Sequence, residues 1–134
     1  MPKGEFKPSR KTCLPSGTPS PSASRKSVMR FALGNHVAPL GLVFSEGANL
    51  PYGEGAYVGQ HGSWNRRPPS GYNVVFVPFR GGKPAGKPLE VLGGFLSPEG
   101  EAYGRPVGVA IDRRGALLVA DDVGNAIWRI TASR

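Results

Sequence analysis

A single cysteine, Cys13, stands in a chain of 134 residues. One thiol excludes an internal disulfide framework and any zinc site built from cysteines, and Cys13 reads as a free, exposed thiol without a role. Acidic residues are scarce, 9 against 17 Lys and Arg, so the formal net charge is +8. A charge of that size directs attention to nucleic acid or a membrane surface. Long hydrophobic runs are missing: no stretch reaches the about 18 apolar residues that cross a bilayer as a helix. The sequence also lacks G-x-x-x-x-G-K-S/T, H-E-x-x-H, G-x-S-x-G and an EF-hand loop, and with them the phosphate-loop, zinc-protease, serine-hydrolase and calcium-loop chemistries. What is abundant is Gly, 20, and Pro, 14. Their combined share is far above the usual value of about 12%. That excess argues against a helical bundle and for short elements joined by tight turns, and the length predicts one domain.

The charge is uneven. Residues 1–30 hold seven basic side chains (Lys3, Lys7, Arg10, Lys11, Arg25, Lys26, Arg30) and one acid, Glu5, leaving a net charge of only +2 for residues 31–134. The same segment has five prolines, six serines and no apolar periodicity, so it cannot bury enough surface to offset the entropy of ordering. Residues 1–33 are therefore expected to be a disordered leader. It has no apolar core of the about 7–15 residues a secretory signal needs, and its prolines oppose the amphipathic helix of a transit peptide. Three readings stay open for it: a leader without function, a targeting segment, or a tail for an anionic partner.

From residue 37 on, the pattern changes to short β-type runs separated by turn residues: Leu40–Phe44, Gly55–Gln60, Tyr72–Phe79, Leu89–Leu96, Val107–Asp112, Ala116–Ala120 and Ala126–Thr131. Arg113-Arg114-Gly115 and the stretch from Asp121 to Asn125 are hairpin turns. In the latter, Asp121 and Asp122 read as turn chemistry rather than as a catalytic carboxylate pair. Seven strands at hairpin spacing with no helical period predict an all-β antiparallel architecture. Sandwich, barrel and propeller blades are the candidates. The grouping favours blades, one full blade over about 37–97 with an outer insertion around 80–88, and a partial one over about 103–132. Blade strands are buried on both faces, so two blades alone leave large apolar faces uncovered.

The blocks NHVAPLGLVF, GAYVGQHGSWNR, SGYNVVFVPF and EAYGRPVGVAIDRRGALLVADDVGNAIWRI, spread over residues 34–131, resemble the C-terminal end of the sorbosone dehydrogenase and soluble glucose dehydrogenase family. The resemblance implies about two C-terminal blades of a six-bladed β-propeller, a partial domain over residues 34–134, and a truncated or frameshifted origin for the chain. It also implies oxidation of sorbosone, glucose or a similar aldose by hydride transfer to pyrroloquinoline quinone (PQQ), with a calcium ion polarising the cofactor and electrons leaving to a carrier. The general base and the calcium ligands are expected in blades that precede this chain, so no catalytic residue and no metal ligand is assigned. Full-length members are periplasmic; the chain as it stands is expected to be cytoplasmic.

PQQ is a flat tricarboxylate, so its site needs cationic forks, amide donors and a planar wall. GQHGSWNR, where a strand runs out into a loop, supplies His61, Trp64, Asn65 and Arg66. Arg66 is expected to pair with a carboxylate, Asn65 to donate an amide hydrogen and Trp64 to form a wall. For isolated residues of these types, the ordinary alternative is Trp64 packed in the core and His61 capping a strand. Arg105, held by Pro106 at a strand start, aligns with a cofactor-binding arginine of the family, and His36 with a loop lining its pocket; a surface arginine and a structural loop histidine are the alternatives. Three functions follow: part of a PQQ-dependent sugar dehydrogenase that is incomplete alone, a non-enzymatic propeller-like binding module self-associating through open blade faces, or nucleic-acid binding through the tail. The small net charge outside the leader speaks against the last.

Overall fold

In the computed structural model, residues 30–133 are described, and they contain eight strands and no helix. Of the disordered leader expected over residues 1–33, residues 1–29, with Cys13, lie outside the described residues, whereas Phe31 and Leu33 at its end pack on the first sheet. Strands β1 (Pro39–Phe44), β2 (Gly55–Gln60), β3 (Asn73–Arg80), β4 (Lys83–Pro84) and β5 (Leu89–Leu92) form one antiparallel sheet. β6 (Pro106–Ile111), β7 (Leu117–Asp121) and β8 (Ala126–Ile130) form a second, a simple meander. The all-β antiparallel expectation holds, and each of the seven apolar runs overlaps a strand, although the run Leu89–Leu96 is a strand only over Leu89–Leu92. The stretch over 80–88 is not a plain insertion: Lys83–Pro84 turns back to pair with Phe79 and Arg80, and β5 takes over the same edge of β3 further along.

The run of valines and aromatics makes β3 a central strand, because branched and aromatic side chains suit a pleated surface covered on both sides. Strand β2 is buried at all six positions, whereas β1, at the edge, alternates between exposed and half-buried. Register pairs Tyr57 with Phe76, so Tyr57, Val74 and Phe76 share one face. That face meets Leu117 and Val119 of the second sheet, and these five side chains form the main core. Each contributes on the order of 1.5–3 kcal/mol of burial. The opposite face of the first sheet carries Val58, Val75 and Val77, packed by Phe31 and Leu33, two residues that the sequence reading leaves in the leader. Beyond that packing, Leu40, Leu42 and Phe44 stand 59%, 59% and 57% exposed, in keeping with the uncovered apolar face expected of isolated blades.

The two sheets come closest where β1 and β2 pass over β6. Gly41 pairs with Gly59, and a Cβ on Gly59 would stand 2.8 Å from the Val107 carbonyl oxygen, while one on Gly41 would meet the Val107–Gly108 backbone. Absence of a side chain at both positions is what lets backbone rest on backbone there.

At the centre of the core the Tyr57 hydroxyl is buried with no hydrogen-bond partner. Burial, and secondarily the nearby Tyr52, push its pKa above the usual tyrosine value. Tyr57→Phe keeps the ring and removes the orphaned hydroxyl. Urea unfolding is expected to show a gain of about 1 kcal/mol; a loss of that size would mean the hydroxyl is satisfied after all.

Candidate functional site

Register brings the sequence candidates to one end of the molecule. Pro39 pairs with Gln60 and Gln60 with Asn73 in the first sheet, while Pro106 pairs with Asp121 and Asp121 with Ala126 in the second. From these rows emerge the segment before β1, the loop 61–72, the turn 122–125 and, beyond β5, the loop 93–105. All carry polar or charged side chains at the ends of rigid strands, where functional groups are usually presented.

The loop 61–72 is closed at its neck by Ser63 and Ser70. The Ser63 amide donates to the Ser70 carbonyl at 2.9 Å and the Ser70 amide to Ser63 Oγ at 3.0 Å. Residues 64–69 therefore project as a tip, which explains why Trp64 is 86% exposed rather than packed in the core. Arg66 Nη1 donates to the Asn35 carbonyl at 3.2 Å, and Ser70 Oγ to the same oxygen at 2.9 Å, which ties the tip to the segment before β1.

Tyr72 closes this loop in the left-handed region, with φ 63°, and is buried. Its ring lies flush on Gly62, where any Cβ would collide with Tyr72 Cγ at 2.7 Å. Its hydroxyl donates to the Ser63 carbonyl and accepts from Arg105 Nη2 at 3.0 Å, while the Arg105 guanidinium lies 4.9 Å from the ring centroid, within cation–π range. Arg105 is also fixed through its backbone, its amide donating to Asp121 Oδ1 at 2.8 Å.

Asp121 is buried at 4% exposure. The same Oδ1 accepts from the Gly124 amide at 2.8 Å, and Oδ2 accepts from Trp128 Nε1 at 3.1 Å. Burial pushes its carboxyl up, but donation from Gly124, Arg105, Trp128 and Val123 outweighs burial and holds it below the usual carboxylate value. The turn role expected for Asp121 is what the structure has. Asp122 does more than turn: both its oxygens lie 3.1 Å from His61 Nε2, joining the end of β2 to the turn after β7.

Between the loops 61–72 and 93–105 lies a cleft of about 580 Å³, within the usual range for small-ligand sites. Arg66, Arg105, Asn65 and Trp64, four of the six sequence candidates, line it together with Arg67 and Tyr72. Glu99 and Glu101 line the opposite side, in a turn whose amides at both residues are held by Ser97 Oγ. Three guanidinium groups against two carboxylates leave the cleft cationic but divided. His61 faces Asp122 instead of the cleft, and His36 sits exposed in a turn with φ 59°; neither lines it. Sequence reasoning missed Tyr72 and the two glutamates. The signal for Tyr72 was Gly71 beside it at the mouth of a strand; nothing marked Glu99 or Glu101. Among the described residues no three His, Cys, Asp or Glu side chains gather as a metal site, and no helix is long and apolar enough to cross a membrane.

Sheets packed blade on blade, with a cationic cleft where their loops meet, define an all-β propeller-like architecture. The chain belongs to the TrAA12-like family, whose model matches residues 19–133. It is 36% identical over 103 residues to an uncharacterized protein of Borreliella burgdorferi, covering 75% of this chain and 27% of that one. Over 43 residues it is 51% identical to the pyrroloquinoline quinone-dependent pyranose dehydrogenase of Coprinopsis cinerea, 32% of this chain and 5% of that enzyme. The holo PQQ domain of the Coprinopsis cinerea pyranose dehydrogenase superposes with a TM-score of 0.56 at 30% identity, over 72% of this chain and 27% of that domain. The calcium structure of a Trichoderma reesei protein of carbohydrate-active enzymes family AA12 gives 0.55 at 29% identity, over 69% and 24%. The chain thus spans about a quarter of the length of the Borreliella relative and of these solved chains.

Two outcomes test this construction. Asp121→Asn puts a donor where backbone amides and the Trp128 indole converge, and is expected to cost about 1.5–3 kcal/mol at neutral pH. Because the folded-state pKa of Asp121 is lowered, its stabilisation is present above about pH 4 and fades as the pH falls through the folded value. The gap between variant and parent in thermal unfolding should therefore narrow in acid. Asp112, lowered chiefly by the Ala116 amide, keeps part of the acid dependence in both. Gly62→Ala, strained at φ 94° and driven against Tyr72, is expected to lower stability by about 1–3 kcal/mol; calorimetry reads the change.

Proposed function

We propose that this chain forms part of a PQQ-dependent sugar dehydrogenase and supplies cofactor contacts to it. The observation that carries the reading is the convergence of Arg66 and Arg105, from different sheets, in one cleft of a chain of the TrAA12-like family. The donor set suits a flat tricarboxylate: Arg66 and Arg105 take carboxylates, Asn65 donates an amide hydrogen, and Trp64 offers a flat wall. When bound, PQQ supplies the hydride-accepting quinone. These residues bind and orient it and screen one side from water.

The general base lies outside the residues assigned here. His61 is engaged by Asp122 and His36 stands away from the cleft, so neither is given that role. A pyranose or related aldose is the substrate class, in line with the Coprinopsis cinerea relative; sorbosone and glucose are the particular sugars of the narrower reading. Electrons then pass to a separate carrier. Calcium belongs to the same reading, with ligands beyond the residues described. The periplasm is the compartment of the complete enzyme.

Calorimetric titration of the chain with PQQ is expected to show saturable binding weaker than about 1 μM, because one wall of a site supplies part of its affinity. Arg66→Ala and Arg105→Ala should each weaken it about tenfold or more. Dye-linked oxidation of glucose, other aldopyranoses or sorbosone should be absent; robust turnover would overturn the placement of the base outside this chain. The exposed Leu40, Leu42 and Phe44 favour one alternative, a non-enzymatic module that self-associates. A stable, closed oligomer with no affinity for PQQ would establish that instead.

A further inference from the structure

Tyr72 has a position that ring packing alone does not account for. An aromatic residue in the left-handed region costs roughly 1 kcal/mol or more, and Tyr72 is held there with φ 63° between Gly71 and β3. Gly62 is kept bare beneath its ring. The hydroxyl proton is committed to the Ser63 carbonyl, which leaves only lone pairs for Arg105. A guanidinium has only donors, so the two groups match in one sense and no other. One of the five N–H donors of Arg105 goes to this bond at 3.0 Å; the rest of the fork is available to an anion.

Ser63, at the other side of the same hydroxyl, is the neck residue of the tip that carries Arg66. One ring therefore touches both cationic walls of the cleft: the loop of Arg66 through Ser63, and the side chain of Arg105 directly. We infer that Tyr72 is a positioning residue that sets Arg105 against the Arg66 loop, so that the cleft accepts a planar polyanion with separated carboxylates. Without the hydroxyl, Arg105 keeps its charge and its backbone anchor on Asp121 but swings as a long, flexible cation and loses entropy on each binding event.

This inference rests on the PQQ reading above, and a double-mutant cycle separates the two. PQQ is titrated calorimetrically against the full chain, Tyr72→Phe, Arg105→Ala and the double variant, with thermal unfolding of each recorded in parallel. Tyr72→Phe retains the ring and the cation–π contact, and is expected to weaken binding about tenfold. In the Arg105→Ala background the same change should alter binding less than about twofold, because Tyr72 acts through Arg105. A general structural role would instead weaken binding by the same factor in both backgrounds, and that result overturns the inference while leaving the PQQ reading intact. No saturable PQQ binding by the unsubstituted chain overturns the PQQ reading and the inference with it. Should Tyr72→Phe fail to fold, Arg105→Lys supplies the test: charge is kept and the planar fork lost, so binding weakens severalfold, and affinity equal to that of the arginine chain overturns the inference.

Discussion

The Asp121 carboxylate, buried at the end of β7, collects hydrogens from the Arg105 and Gly124 amides and from the Trp128 indole. These three groups come from the segment before β6, the β7–β8 turn and β8, so one side chain fastens the whole cleft end of the second sheet. A buried ionised carboxylate is tolerable only when donors replace its water. The same replacement makes the turn rigid, and Arg105 enters the cleft from a backbone with little freedom of its own. Trp128 then reaches Phe95 edge-to-face at 5.8 Å, which extends the anchorage toward the loop bearing Glu99 and Glu101.

The first sheet reaches the cleft differently. Its contribution travels on a projecting tip closed by two serines, with Arg66 and Asn65 solvent-exposed upon it. One wall is thus built from a carboxylate-locked strand start and the other from a loop. Tyr72 stands between them, and the acidic side formed by Glu99 and Glu101 gives the cleft a polarity from one edge to the other.

Much of the fold is legible in the sequence because blade strands announce themselves. Runs such as LGLVF, NVVFVPF and LLVA are branched or aromatic and end in glycine-rich turns, and each became a strand. Lys83–Pro84 escaped notice, since two residues with a proline and a charge carry no pattern. The site was only half legible. Arg66 and Arg105 announce themselves as arginines beside strand ends, but they stand on different sheets, and only packing between the sheets brings them together. His61 looked like part of the same constellation because it is near Arg66 in sequence; Asp122, 61 positions away, captures it. Tyr72 reads as the first residue of a strand, and its left-handed backbone is hinted at only by Gly71 beside it, not by the β-favouring aromatic itself.

Gly41 and Gly59 have a consequence for motion. Where they sit, main chain already touches main chain, so no side chain remains to be compressed and the blades cannot draw nearer to grip a ligand. Any adjustment to a guest falls to the side chains and loops above the strands, not to the approach of the strands beneath them.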